Sequence, residues 1–291
     1  MSLLNCHQAA MKRPGLNIFF LILLIGTLQC GNPTSSIIGI LQVRLSSQSV
    51  PPRHVQSVFI TISQVSARAE GARAFDFSNT SPHIFDLFGL QNGITRILDL
   101  LSLPENRYDA LRLTIADLTV QLTNNRQFIT VFPDSQNVEI ILTPLNPFTI
   151  KGERLSDVII DFDLFRSLIP QGDFSNTNGI TGYQFEPKAR VVDLTTVGQI
   201  IGQVKHDNFT PSFISDDVPL PDYSITMIQP DRTDSVSVIS DQDGEYTAFF
   251  MSAGSYTIVV PPTDNTRAWS VEDVVVTTAN PTRQDMTVSK H

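Results

Sequence analysis

Two aspartates, Asp161 and Asp163, have the spacing in this sequence that most directly suggests chemistry. They lie in the stretch DVIIDFDLFRSLI, residues 157–169, where acidic residues interrupt an apolar run. In an extended strand, residues two apart lie roughly 7 Å from each other on one face, so two carboxylates could share a hard cation or form a catalytic pair. One such pair supplies fewer oxygens than the roughly six to eight that Ca²⁺ prefers. Asp161 and Asp163 are therefore weak candidates for a cation site or for the acidic pair of a hydrolase.

The period of the same stretch predicts a half-buried strand. Apolar residues fall on one face, and the acidic residues fall on the other. The apolar face comprises Val158, Ile160, Phe162 and Leu164, and the acidic face comprises Asp157, Ile159, Asp161 and Asp163. We expect the acidic face to meet solvent or a neighbouring strand with basic residues such as Lys188 and Arg190. As solvated positions, Asp161→Asn and Asp163→Asn together should change the free energy of unfolding by about 1 kcal/mol or less.

No other set of residues forms a recognised catalytic or metal-binding motif. The histidines His54, His83, His206 and His291 have no HExxH or HxH spacing and no cysteine partner. The sequence also lacks the nucleophile elbow, the P-loop and the G-x-G-x-x-G fingerprint. We therefore expect neither enzyme activity nor a cofactor.

The N-terminal residues predict export. Lys12 and Arg13 precede a 13-residue apolar run from Leu16 to Leu28, which is shorter than the roughly 20 residues of a membrane-spanning helix. Residues 1–29 are therefore predicted to be a signal peptide, with a true start that could be Met11.

Cys30 follows this run after Gln29. The stretch TLQC resembles the lipobox of bacterial lipoproteins, although Leu28 is one place too close to the cysteine and Gln29 replaces a small residue. The resemblance implies acylation of Cys30, for example with palmitate, and a lipidated tether over residues 30–36. The protein would then be anchored in the bacterial cell envelope, with the outer membrane as the expected site. The alternative is simple cleavage that leaves Cys30 as a free thiol.

The charge balance argues against a nucleic-acid partner. The chain has a formal net charge of -9, and without residues 1–29 it would carry 18 basic and 29 acidic residues. An acidic surface repels the phosphate backbone that dominates nucleic-acid affinity.

After residue 36 the sequence predicts an all-β protein. Short segments rich in Val, Ile, Thr and Phe alternate with Pro, Gly, Asn and Asp clusters. The exception is TRILDLLSL, residues 95–103, where Ile97, Leu98 and Leu101 recur at helical spacing and predict one short helix. Strands this frequent favour two antiparallel β-sandwich domains, over residues 37–195 and 198–291.

Four blocks carry a family resemblance: GILQVRL, FDLFGLQNGITRILDLLSLPENRYDALRLTI, PFTIKGERLSDVIIDFDLFRSLI and YQFEPKARVVDL. In order and spacing they resemble the bacterial family called domain of unknown function 4382, over about residues 37–195. Glu105 and Asn106 replace the usual Ala-Gly of one turn, and residues 170–182 lengthen a loop. The resemblance implies an exported or lipid-anchored envelope protein and assigns no reaction to the aspartates.

The C-terminal part resembles a different family. The stretch SDQDGEYTAFFMSAGSYTIVV is similar to carboxypeptidase-regulatory-like, or transthyretin-like, sandwiches. Asp243 and Gly244 suit a tight hairpin that needs a positive φ, and Gly254 suits the next turn. Asp241, Asp243 and Glu245 resemble the start of a calcium loop, but the later ligand positions hold Tyr246, Ala248 and Phe250, so we predict a turn.

Three functional hypotheses follow. The first is a surface binding or adhesion module that recognises an unknown protein or glycan, with the membrane contacted through the N-terminal lipid. The second is a structural spacer or accessory of the envelope. The third is a hydrolase that uses Asp161 and Asp163.

Overall fold

A computed structural model describes residues 37–289, apart from 49–52, 78–80, 131, 133–136, 207–216 and 230–234. The predicted signal peptide, Cys30 and the tether before residue 37 lie outside the described residues, as does His291. No helix within the described ranges is long and apolar enough to cross a membrane.

The N-terminal region, residues 37–196, is built almost entirely from strands. They are β1 (Ile38–Ser47), β2 (Val55–Ala69), β3 (Asp76–Phe77), β4 (His83–Asp86), β5 (Arg96–Pro104), β6 (Asn106–Leu122), β7 (Gln127–Ile129), β8 (Val138–Leu142), β9 (Phe148–Ile150), β10 (Leu155–Phe162), β11 (Leu168–Gly172), β12 (Ile180–Phe185) and β13 (Ala189–Asp193). Helical turns cover Phe88–Leu90, Leu164–Ser167 (α1) and Leu194–Thr196.

Two sheets enclose the core of this region. One has the order β13-β10-β1-β5, and the other has the order β3-β2-β6-β7, with β4 on β2 and with β8 and β9 on β6. The inward residues of both sheets alternate with outward residues, as in β6, where Leu111, Leu113 and Ile115 are fully buried. They join one hydrophobic core with β1 and β10 residues such as Leu41 and Val158. The lengthened loop of residues 170–182 contributes to a separate hairpin, β11-β12.

The C-terminal region, residues 197–289, has its own pair of sheets. Its strands are β14 (Val197–His206), β15 (Val218–Pro219), β16 (Ser224–Ile228), β17 (Ser235–Ile239), β18 (Glu245–Ser252), β19 (Gly254–Val260), β20 (Trp269–Val276), β21 (Thr282–Arg283) and β22 (Met286–Val288). One sheet is centred on β14, which pairs with β15, β18, β21 and β22, and the other has the order β17-β16-β19-β20. Their buried residues form a second hydrophobic core.

The all-β prediction is confirmed, and most of the pairings are antiparallel. The strand β1 nevertheless pairs with β10 in parallel, and β14 pairs with β21 and β22 in parallel. The β1-β10 pairing sets Gln42 beside Asp157 and Ser46 beside Asp161. It therefore places the polar residues of both strands on one outer face of the sheet.

The predicted helix over residues 95–103 is wrong, because these residues form most of β5. Three residues of β5, from Ile97 to Asp99, face two residues of β1, so Leu98 is the extra residue of a β-bulge. The bulge changes the strand period locally, and both Leu98 and Leu101 point to the core. Two inward leucines three positions apart imitate the spacing of a helix.

The two-domain division stays a prediction with a direct test. Each region contains two sheets and its own core, so separate polypeptides of residues 31–195 and 198–291 should each fold. Circular dichroism and urea unfolding would show a cooperative transition for each. An unfolded N-terminal polypeptide, beside a stable full chain, would show that the boundary is misplaced.

Candidate functional site

The acidic face of β10 is covered by arginines. Asp157 accepts hydrogen bonds from Arg44 Nε at 2.9 and 3.0 Å and from Gln42 Nε2 at 2.8 Å. Both Arg44 and Asp157 are partly buried. Gln42 lies directly opposite Asp157 on the neighbouring strand β1, and Arg44 lies two residues further along the same face.

Asp161 is the most buried acidic residue of this face. Its side chain is 5% exposed, and its Oδ2 accepts hydrogen bonds from Arg190 Nε at 3.0 Å, from Arg190 Nη2 at 2.8 Å and from Gln48 Nε2 at 2.8 Å. Arg190 lies directly opposite Asp161 on β13. The prediction of a basic neighbouring strand is therefore confirmed for Arg190, whereas Lys188 is exposed and contributes its backbone carbonyl to Asp163 N.

The expectation that Asp161 and Asp163 are two solvated residues of one strand is wrong. Asp161 is buried under the arginine and glutamine that bind it. Asp163 follows the end of β10 and caps the short helix α1, where its Oδ1 accepts a hydrogen bond from Arg166 N at 3.0 Å. Its Oδ2 accepts a second bond from Arg166 Nε at 2.6 Å. Each aspartate thus has a different local role.

A β-bulge in the C-terminal region completes the Asp161 cluster. Phe249 and Phe250 of β18 face a single residue of β14, and Phe250 has a φ of +53°, which is rare for a bulky residue. Phe249 O accepts hydrogen bonds from Gln48 Nε2 at 2.6 Å and Arg190 Nη2 at 3.2 Å, and Phe249 N donates to Gln48 Oε1 at 2.5 Å. The Gln48 amide therefore pairs with the peptide groups of Phe249 as a neighbouring strand would.

The ring of Phe249 also needs a glycine in the N-terminal region. Gly93 has a φ of +76°, and a Cβ at this position would lie 2.8 Å from the Phe249 ring. Any larger residue would therefore force the ring or the turn to move.

Asp163 supports a second contact to the C-terminal region. Arg166, held by Asp163, donates from Nη1 to Ser235 Oγ at 2.9 Å and from Nη2 to Ser235 O at 2.8 Å. Asp161 and Asp163 therefore each fix an arginine that bonds to the other β region. We call these two clusters, comprising Gln48, Asp161, Asp163, Arg166, Arg190, Ser235 and Phe249, the charged junction.

The residues of the charged junction other than Phe249 line a cleft of about 550 Å³. Its walls come from β8, β10, β13 and β17, with apolar contributions from Ile140 and Val236. Lys188 is exposed at its edge. The cleft combines an apolar wall with charged groups, which is a common composition for a ligand site.

The remaining sequence candidates do not assemble into a site. Within the described ranges, no group of three or more His, Cys, Asp or Glu residues could hold a metal ion. The turn predicted at Asp241 is confirmed, since Asp241 Oδ1 accepts hydrogen bonds from Asp243 N at 3.0 Å and Glu245 N at 2.8 Å. Gly244 and Gly254 have the positive φ values expected of them.

Sequence reasoning missed Gln48, Phe249, Arg166 and Ser235. Gln48 lies 113 residues from Asp161 and 201 residues from Phe249, so no local pattern connects them. Arg166 carried a usable signal, because Asp is a preferred N-cap residue and an Asp–Arg pair three residues apart is close enough to interact on a helical turn.

Removing the Asp161 carboxylate should be costly. Asp161→Ala would leave Arg190 buried without its counter-charge, and we expect a loss of about 3 kcal/mol in the free energy of unfolding. Glu70→Ala is the control, because Glu70 pairs with Arg107 on the surface and should change stability by less than about 0.5 kcal/mol. Urea unfolding of both variants measures the difference. Equal effects would show that the Asp161 pair is exposed to solvent.

Comparison with solved structures gives distant likenesses. The TIE protein of Bacillus anthracis is 8% identical in sequence, with a TM-score of 0.24. The match covers 87% of this chain and 34% of the TIE protein, so this chain spans about a third of the length of the TIE protein. The minor pilin GBS52 of Streptococcus agalactiae is 7% identical, with a TM-score of 0.27, and the match covers 86% of this chain and 96% of the pilin. A mutant of the shaft pilin SpaA of Lactobacillus rhamnosus GG is 10% identical, with a TM-score of 0.27, and the match covers 88% of this chain and 98% of the pilin.

No curated protein matches the chain. Residues 38–197 match the family described as Domain of unknown function (DUF4382). This range covers more than half of the 291 residues and contains all four sequence blocks as well as the aspartates of β10. The chain therefore belongs to the DUF4382 family.

Proposed function

We propose that this protein is a lipid-anchored module of the bacterial cell envelope that binds a protein or a glycan at the surface. The observation that carries the proposal is the charged junction. Asp161 and Asp163 bind arginines, and these arginines bond to the C-terminal β region. A buried ion pair stabilises little in itself but penalises the separation of its members, so the charged junction would hold the two β regions in a fixed arrangement from which loops can contact a partner.

The same geometry disfavours a hydrolase. A general base or nucleophile must reach its substrate or a water molecule. Asp161 is 5% exposed, and its Oδ2 already accepts three hydrogen bonds. Both oxygens of Asp163 accept bonds from Arg166. These contacts support a structural role for both carboxylates.

The cleft beside the charged junction is the favoured place for a ligand. Its apolar wall and its exposed lysine, Lys188, offer contact area and a charged group to a partner. Substitution of Lys188 leaves its backbone bonds to Asp163 and Ser167 in place, so this position can be tested without breaking the junction.

The alternative function is a structural spacer of the envelope. In that case the acylated Cys30 would hold the N-terminal region beside the membrane, and the C-terminal region, which we propose is a carboxypeptidase-regulatory-like sandwich, would extend the accessory away from it. The hairpin turn at Asp243 and Gly244 supports the sandwich assignment. A spacer has no need to face the cell exterior, whereas a surface binding module must.

Protease treatment of intact cells separates the two functions. We expect added proteinase to degrade the protein on intact cells, while a periplasmic marker protein survives. Resistance on intact cells, followed by degradation after the outer membrane is permeabilised, would contradict the surface module and favour the spacer.

Replacing Cys30 should release the protein from the membrane. Two or three acyl chains, at about 0.8 kcal/mol per buried methylene, would hold the wild type firmly. In a host with lipoprotein processing, the wild type should incorporate labelled palmitate and enter the detergent phase, while Cys30→Ala should remain unlabelled. An unlabelled wild type with a different mature N-terminus would show that Gln29 and Leu28 prevent acylation and that the protein is simply secreted.

A further inference from the structure

The outer face of the sheet β13-β10-β1-β5 has an exposed apolar end. Along β1, every second residue points outward, and this outward row begins with Ile38 and Ile40 and ends with Ser46 at the charged junction. Leu155 lies beside Ile40 on β10, and Leu100 lies diagonally across from Ile40 on β5. The exposed fractions are 46% for Ile38, 44% for Ile40, 54% for Leu100 and 59% for Leu155. We call these four residues the apolar patch.

Contiguous apolar side chains on a soluble surface mark a contact site more often than single exposed ones do. The position of the apolar patch in the chain indicates what it contacts. Ile37 and Cys30 are seven residues apart, so the fully extended chain between them spans at most about 25 Å. An acylated Cys30 would therefore hold Ile37, beside the start of the apolar patch, within about 25 Å of the lipid surface.

The rim of the apolar patch carries balanced charge. The loop after β9 contacts the start of β1, since Ile40 N donates to Arg154 O and Glu153 N donates to Ile38 O. Lys151 and Arg154 are exposed there, and so are Glu153 and Glu105. Two basic and two acidic groups largely cancel at neutral pH, so contact with a membrane would depend on apolar burial rather than on anionic lipid.

We propose that the apolar patch lies on the lipid surface and orients the N-terminal region, so that the apolar end of the sheet contacts the membrane and the charged junction and its cleft lie at the end far from it. The two features occupy opposite ends of one sheet face, because β1 and β10 run in parallel from the apolar patch to the junction. The inference rests on the proposed acylation of Cys30. Lipidation would supply attachment, and the apolar patch would supply orientation.

The test uses the full chain, processed in a host that acylates lipoproteins and reconstituted into phosphatidylcholine vesicles. Acylation removes the thiol of Cys30, and Cys6 precedes the predicted cleavage site, so Leu155→Cys would carry the single thiol of the mature protein. An environment-sensitive fluorophore at this position should shift its emission to shorter wavelength and be quenched by a lipid-borne quencher. The shift should be the same in 0.1 and 0.5 M salt.

Ile129→Cys is the matched control, because Ile129 is 70% exposed on β7 of the other sheet. Its fluorophore should show neither the shift nor the quenching. Equal emission from the two positions in vesicles would overturn the proposal. A shift at Leu155→Cys in detergent without vesicles that grows with protein concentration would also overturn it, since a second copy of the chain would then cover the apolar patch.

Failure of acylation is recognised separately, because the free thiol of Cys30 would take up a second fluorophore. The secreted protein would then be mixed with the same vesicles. Co-sedimentation that is lost in Leu155→Asp but retained in Ile129→Asp would support lipid contact by the apolar patch. No co-sedimentation of the wild type would overturn it.

Discussion

The ion pair between Asp161 and Arg190 is the interaction on which the arrangement of the described residues depends. Both side chains are mostly buried, at 5% and 17% exposure, so each would be costly without the other. Additional hydrogen bonds lower this cost, although Oδ1 of Asp161 is buried and accepts no hydrogen bond from the described residues. Gln48 donates to the carboxylate, and the carbonyl of Phe249 accepts from the guanidinium. A buried pair of this kind stabilises little in itself, but it strongly penalises any arrangement that separates its members.

That penalty explains the strained backbone at Phe250. A bulky residue at positive φ costs of order 1 kcal/mol or more, and such residues persist only where surrounding contacts require them. Here the bulge releases the peptide groups of Phe249 from the ladder with β14, and these groups satisfy Gln48 and Arg190 instead. The bulge in β18 and the ion pair in β10 and β13 therefore support each other.

One sheet face serves two purposes because its strands are long and mostly regular. Alternation places Ile38, Ile40 and Leu155 on the same side as Ser46 and Asp161, but at the opposite end. Between these ends, Arg44 and Asp157 form a partly buried pair. The character of the face thus changes from apolar to charged along a single direction, which is the property that an oriented membrane module would need.

The sequence by itself determined the class of the fold and much of its local detail. A period of two residues predicts the alternation in β6 and β10 and the face on which Asp161 meets a basic partner. Turn chemistry predicts the turn at Asp243 and Gly244. Both signals act over a few residues. The four blocks also indicated the family.

Tertiary structure decided the rest, because it depends on contacts between distant residues. The stretch from Ile97 to Leu101 has a spacing that suits a helix, and pairing with β1 makes it a bulged strand. Asp161 and Asp163 look alike in sequence, but one lies under Arg190 and Gln48 while the other ends the strand and caps α1. Whether Asp161 is buried depends on the residues that the fold packs around it. Two of them, Gln48 and Phe249, are 201 residues apart in the sequence.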